Sequence, residues 1–372
     1  MRIPVCEPFL NGNEEKYVMD AVRTAWISSS GSYVTQFEQS FAKYCGVNYG
    51  IAVTNGTVAI HLALKALGVG PGDEVIIPSF TMIATAFAVC YCGAMPVFVD
   101  ADPETWCIDT SKIEEKITEH TKAIIPVHIF GNMCDMNTIE TIAEKYHLFI
   151  VEDAAEAHGA EYCGKKAGSF SDIACFSFFA NKNLTTGEGG MCVTNNEKYN
   201  ERCRYFKNMC FSLNGSRNYL HDDIGFNYRM SNIHAAIGLA QTEKADEYRK
   251  LRIDHHNLYR KYLKDCTGVI FQKDTDNSLN VNWMNAILID YEKYGHTRNE
   301  LIAYLKEHQI ETRLLFQSMA RQESLQSYGC DCGGCYPVTD RLSETGFYLP
   351  SGSGLSCDSI RDICNLIKEF HQ

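Results

Sequence analysis

Long apolar runs are missing from this 372-residue sequence. No stretch reaches the roughly 20 uninterrupted apolar residues a membrane helix needs, and the N-terminal Met-Arg-Ile-Pro-Val-Cys-Glu has no apolar segment of the kind that marks secretion. These absences predict a cytoplasmic protein. Positive charge is also short: 34 Lys and Arg stand against 46 Asp and Glu, a formal charge of −12. That argues against a general nucleic-acid surface, which needs clustered cations. It leaves phosphorylated small molecules open, because a helix N-terminus binds a phosphate without net positive charge. No internal repeat and no low-complexity segment is found. What remains, 45% apolar residues in 372, is enough for a large core and predicts one big domain plus a smaller one.

Cysteine is abundant, with 17 residues. Most lie in apolar runs such as Val89-Cys90-Tyr91-Cys92 and Ala174-Cys175-Phe176, where a thiol acts as a small core residue, and without an export signal the reduced state is expected. Cys330, Cys332 and Cys335, in Gly-Cys-Asp-Cys-Gly-Gly-Cys, could supply three zinc ligands. Structural zinc wants a fourth ligand and tighter pairing, so a loop of free thiols without metal is the expectation.

From about Tyr49 to Thr194 apolar strand-like runs alternate with helical patterns, the signature of a mostly parallel sheet between helices in an α/β fold. Strands are predicted at Gly50–Val53, Glu74–Pro78, Met95–Asp100, Ala123–Val127, Leu148–Glu152, Ile173–Phe178 and Gly190–Val193. Helices are predicted at Val58–Leu67, Ile83–Cys92, Thr110–Ile117 and Met136–Tyr146. Asn232 to about Leu263, free of Pro and Gly except Gly238, reads as one long helix linking a large domain (1–245) to a smaller α+β domain (246–372). The latter has strands around Val281–Asp290 and helices near Arg298–His308 and Cys357–Phe370.

Four features carry chemistry. Thr54-Asn55-Gly56-Thr57 follows a strand and opens a helix, offering backbone N–H groups to a phosphate, although the same residues are ordinary caps. Leu148 to Asp153 is a buried strand ending in two acids, and an acid at a strand's carboxyl end faces the cleft. There an aspartate can keep a pyridine nitrogen protonated; a solvated helix cap is the plainer reading. Lys182 comes just after the apolar strand Phe176-Ser177-Phe178 and before Thr185-Thr186-Gly187-Glu188-Gly189-Gly190, where desolvation could free its amine for a Schiff base. Gly225 to Asn232 is a polar turn into the long helix, with Ser231 or Asn232 as cap.

Together these strings resemble the DegT/StrS-type family of nucleotide-sugar aminotransferases, of pyridoxal-phosphate fold type I. The resemblance runs from Trp26-Ile27-Ser28-Ser29 to about Trp283. It includes Asn55-Gly56-Thr57, Gly72 to Ser79, Pro126-Val127-His128, Glu152 to Gly159, Phe176 to Gly190 and Asn227-Tyr228-Arg229-Met230. It implies Lys182 as the Schiff-base lysine and Asp153 as partner of the pyridine nitrogen. Gly56, Thr57 and Ser177 are implied to hold the phosphate, and Asn227 to reach the phosphate of a neighbouring subunit, hence a homodimer with shared sites. Glu156 falls near the ring hydroxyl, where many members have Gln. The sugar 4-aminotransferases that make perosamine look most similar.

The implied reaction moves an amino group from L-glutamate to a nucleotide-linked 4-keto-6-deoxyhexose. The alternatives are a 3-keto sugar aminotransferase and a catalytically silent regulatory protein of the same fold. Cofactor-dependent sugar dehydratases of similar fold carry His in place of Lys182, which disfavours them here. Met82 stands where an aromatic usually faces the ring, and Leu314, Ser318 and Ala320 replace the family's prolines and histidine near the substrate. Trp26, Ser28, His158, Arg229 and Arg313 are the candidates for the sugar side. Structural roles stay open for them, Trp26 as packed core and His158 as part of a turn. The nucleotide, GDP, dTDP or UDP, stays open as well.

Overall fold

A computed structural model describes residues 2–213 and 219–371. Five strands begin the main sheet: β1 (Tyr49–Val53), β2 (Glu74–Pro78), β3 (Met95–Val99), β4 (Thr121–Ile124) and β5 (Phe149–Asp153). A short hairpin follows, β6 (Glu161–Tyr162) and β7 (Lys165–Lys166), then β8 (Ile173–Ser177) and β9 (Gly190–Thr194). The seven-stranded sheet has the order β1-β9-β8-β5-β4-β2-β3. β3, β2, β4, β5 and β8 pair in parallel, as their continuous apolar character requires of strands covered on both faces. β9 departs from the parallel expectation: it runs antiparallel to both β1 and β8. The connection Phe178–Gly189 between β8 and β9 holds no helix to carry the crossover that a parallel pair usually needs.

The second sheet follows from β10 (Val269–Phe271), β11 (Ser278–Leu279), β12 (Asn285–Ile289), β13 (Arg313–Leu314) and β14 (Gly346–Leu349). Its order is β10-β12-β14-β13, while β11 joins the β6–β7 hairpin. The closing helix Cys357–Phe370 buries Ile360, Ile363, Cys364 and Ile367 against this sheet, an i, i+3, i+4, i+7 stripe. Each buried isoleucine contributes about 1.5–3 kcal/mol. The two sheets also share apolar packing, since Val127 and Phe130 lie in one cluster with Trp283, Leu288 and Tyr348.

Three expected elements differ. The single helix 232–263 is two helices, Asn232–Glu243 and Ala245–Leu263, broken at Lys244. Thr242 Oγ1 donates to the Gly238 carbonyl four residues back, a bond that competes with the helix ladder and bends it. The stretch 110–117 forms two 3₁₀ turns, because Asp109 takes both the backbone N–H and the hydroxyl of Ser111 and draws the chain into a tight turn. The strand expected from Val281 begins only at Asn285. Val281 and Trp283 instead donate to the carbonyls of Gly131 and Phe130 in the loop after β4.

Candidate active site

The carboxyl edge of the main sheet gathers the predicted residues. β1 ends at Val53, and Asn55 caps the helix Gly56–Leu67, its side chain accepting from Val58 N at 3.0 Å. This leaves the first-turn N–H groups of Gly56 and Thr57 as donors at a positive helix end. Gly56 is required by close approach: a Cβ there would sit 2.8 Å from Ser177 Cβ, at the end of β8. The helix start and the Ser177 hydroxyl thus face one cradle, polar and narrow.

Asp153 ends β5, buried at 5% exposure. Thr85 Oγ1 donates to its Oδ2 at 2.7 Å, and Ala155 N to its Oδ1 at 3.2 Å. Burial raises its pKa above the usual carboxylate range, against the opposing pull of these donors and of Lys182. Lys182 Nζ, on a side chain 11% exposed, lies 3.5 Å from Glu156 Oε1. Burial lowers the lysine's pKa, while Glu156 and Asp153 oppose that shift. Glu156 is pushed up to about 7 by burial, with Lys182 and the Phe130 N–H, 2.7 Å from Oε2, pulling the other way.

The remaining candidates are dispersed. Met82 lies 50% exposed after β2. Trp26 is 58% exposed, which rules out the packed-core reading, and its carbonyl accepts from Asn232 Nδ2 at 2.6 Å. Ser28 is exposed, and its carbonyl accepts from Asn232 N. Asn227 is exposed and accepts from Arg229 Nε at 2.8 Å; Arg229 also reaches Asn208. Arg313 is exposed on β13 opposite Tyr348. His158, offered for the sugar side, is 2% exposed, and its ring lies 5.0 to 6.0 Å from those of Phe41, Phe176 and Phe178. Cys330 turns inward beside Cys90, and burial pushes its thiol up to about 12. Cys332 is half-buried and Cys335 exposed, and among the described residues no group of three His, Cys, Asp or Glu is arranged to hold a metal.

The buried histidines set an acid limit. Burial lowers His61 and His256 to about 4 and His158 to about 3. Each binds fewer protons folded than unfolded up to the ordinary histidine value near ~6.5, so its contribution is complete above that pH and is lost as pH falls through the window. Glu156 acts with the opposite sign, binding a proton in the folded state that the unfolded chain releases at lower pH. Among the histidines and carboxylates with large shifts, these three histidines act against Glu156 alone, so the melting temperature at pH 5 lies below that at pH 7.5. An equal or higher value at pH 5, read by circular dichroism, contradicts this.

Sequence reasoning missed Thr85, Phe130 and the place of Trp283 beside the lysine. Phe130 holds Glu156 through its N–H from a left-handed backbone (φ 56°) that no local residue type announces. Lys182 Nζ rests 3.7 Å from the centroid of the Trp283 ring. A tryptophan beside Asn280 and Asn282 was the available signal.

A buried amine, a buried carboxylate and a glycine-lined helix start answer in turn to an aldehyde, a ring nitrogen and a phosphate. The residues therefore fit pyridoxal phosphate, and the class they define is that of the pyridoxal-phosphate-dependent aminotransferases. Comparison with known proteins narrows this: residues 8–368 match the DegT/DnrJ/EryC1/StrS aminotransferase family, and the chain belongs to it. It is 44% identical over 369 residues to the GDP-perosamine synthase of Escherichia coli O157:H7, covering 99% of this chain and 98% of that protein. It is 38% identical over 371 residues to the GDP-perosamine synthase of Vibrio cholerae, covering 99% of each. The crystal structure of S. venezuelae DesV in complex with a ketimine intermediate superposes with a TM-score of 0.93 at 28% identity, covering 100% of this chain and 99% of that one.

Proposed function

We propose that this enzyme transfers the amino group of L-glutamate to the keto carbon of a GDP-linked 4-keto-6-deoxyhexose, giving a 4-amino-4,6-dideoxy sugar nucleotide of the perosamine type. The observation that carries it is the convergence of the Lys182 amine, the Asp153 carboxylate and the Gly56–Ser177 cradle on one sheet edge. Two full-length relatives bearing the perosamine synthase name support the 4-keto sugar and the guanine nucleotide.

In this reading the N–H groups of Gly56 and Thr57, with the Ser177 hydroxyl, hold the cofactor's phosphate. Asp153, fixed by Thr85 and Ala155, keeps a proton on the ring nitrogen. Glu156 lies by the ring hydroxyl and Met82 borders the ring. Pyridoxal phosphate, when bound, supplies the ring that takes up the electron pair left when a proton leaves the carbon bearing nitrogen. Lys182 first anchors the cofactor. Displaced by the amino donor, it takes the proton from the α-carbon of glutamate at Nζ, and in the second half it delivers a proton to C4 of the sugar. Its burial-lowered pKa suits both tasks.

The reading includes a homodimer in which Asn227 reaches the phosphate bound by the partner subunit. The exposed apolar side chains Trp26, Ile27, Met82, Phe179 and Ile224 support a second copy of the chain. It also includes a division into domains 1–245 and 246–372, and a cytoplasmic site of action, where glutamate and nucleotide sugars are available. Trp26, Ser28, Arg229 and Arg313 are offered for the sugar nucleotide.

The test is a panel of GDP-, dTDP- and UDP-linked 4-keto and 3-keto sugars with L-glutamate, read by mass spectrometry. The GDP-linked 4-keto sugar gains an amine at the highest kcat/KM. Preference for a 3-keto sugar or another nucleotide overturns the assignment.

A further inference from the structure

We infer that Trp283 is a positioning residue for Lys182: its indole face is the seat on which the lysine amine rests when it is not joined to the cofactor, and Arg252 fixes that seat. The inference rests on the role given to Lys182 above.

The contact is specific. Lys182 Nζ lies 3.7 Å from the centre of the Trp283 ring, within the range at which an ammonium is attracted to an aromatic face. Trp283 is 3% exposed, and its Nε1 donates to the carbonyl of Asn181 at 2.8 Å. The indole edge is thus tied to the residue preceding the lysine whose amine lies over its face. Trp283 N donates to Phe130 O at 2.8 Å, and the two rings stack at 6.3 Å and 17°. Phe130 in turn holds Glu156 through its own N–H, so acid, lysine and indole are set by one hydrogen-bonded loop.

Arg252 fixes this loop from the helix Ala245–Leu263. It is 2% exposed, and Nη1 donates to the carbonyls of Trp283, at 3.0 Å, and Ser351. Nε donates to Ser353 Oγ, and Nη2 to Cys6 Sγ. Among the described residues none of these bonds goes to a carboxylate, an expensive way to bury a cation unless the geometry it imposes matters. The geometry it imposes is the height of Trp283 under the amine.

The chemistry explains the need. A lysine that alternates between anchor and base must be kept near the reacting carbon without surrendering its proton to a neighbour. Glu156, 3.5 Å away, and Asp153 both favour the charged amine, and Cys6 acts in the same direction. His158, the remaining titratable neighbour, is kept neutral by burial. An indole face attracts the ammonium but accepts no proton, so it holds the charged amine in place without drawing off its proton.

The test uses the full-length, cofactor-free protein. Trace acylation with acetic anhydride across a pH series, read by mass spectrometry of the Lys182 peptide, gives the midpoint at which the amine becomes reactive. Trp283→Leu removes the face and lowers this midpoint by ~0.5–1 pH unit, so labelling below the midpoint rises several-fold. Trp283→Phe keeps a ring and shifts it less in the same direction. Circular dichroism checks folding, and Trp283→Met replaces the leucine variant should that one not fold. A midpoint that stays or rises without the ring, or falls as far with phenylalanine as with leucine, overturns the proposal. Labelling reports on the seat alone, whereas turnover by Lys182→Ala would undo the assignment of the lysine itself.

Discussion

Lys182→Ala yields a folded protein with no measurable transamination. The substitution removes the anchor of the cofactor and the base that moves the proton, and a general base alone contributes about 10²–10⁴-fold, so a combined loss above ~10⁴-fold is expected. The fold survives for a reason visible at the site. Breaking a buried ion pair usually costs about 3–5 kcal/mol because one charge is left alone. Here Glu156, already pushed up to about 7, answers the loss of its cationic neighbour by taking a proton. Circular dichroism therefore shows a native-like spectrum, while product analysis with glutamate and the keto sugar shows none. Turnover within a hundredfold of the native enzyme, on a properly folded variant, would remove Lys182 from the mechanism.

The second large effect is at Asp153. Asp153→Asn keeps the size of the side chain and leaves an oxygen to accept from Thr85, so its surroundings at the end of β5 are retained. It loses the negative charge that keeps the ring nitrogen protonated, and with it the stabilisation of charge that develops during proton removal. Fixed electrostatic partners of this kind contribute about 10²–10³-fold, so kcat falls by roughly that factor while cofactor is still bound. A fall below tenfold would show that the ring needs no such partner.

Much of this site was legible because its parts are local. Asp153 ends an apolar strand, Lys182 follows another, and Gly56 opens a helix; each role depends on a position within a few residues of a strand end, which periodicity reveals. The parts that were missed come from distant segments. Thr85 meets Asp153 across 68 positions, and Trp283 reaches Lys182 only because residues 281–283 pair with the loop at Phe130. No sequence period encodes such a pairing. His158 shows the same limit: its aromatic neighbours Phe41, Phe176 and Phe178 come from distant segments. The long helix was read through Lys244 because composition shows propensity, while the Thr242 bond that bends it is a side-chain event. Direction within the sheet escaped at β9 because a short apolar strand looks alike in either orientation.

The most direct test of the central claim is the absorbance spectrum of the purified protein supplied with pyridoxal phosphate, recorded before and after L-glutamate. The account predicts a visible band from the lysine-bound cofactor that is absent in Lys182→Ala, disappears with glutamate as 2-oxoglutarate forms, and returns when the GDP-linked 4-keto sugar is added. A native protein that shows no such band, or a band that glutamate leaves unchanged, contradicts it.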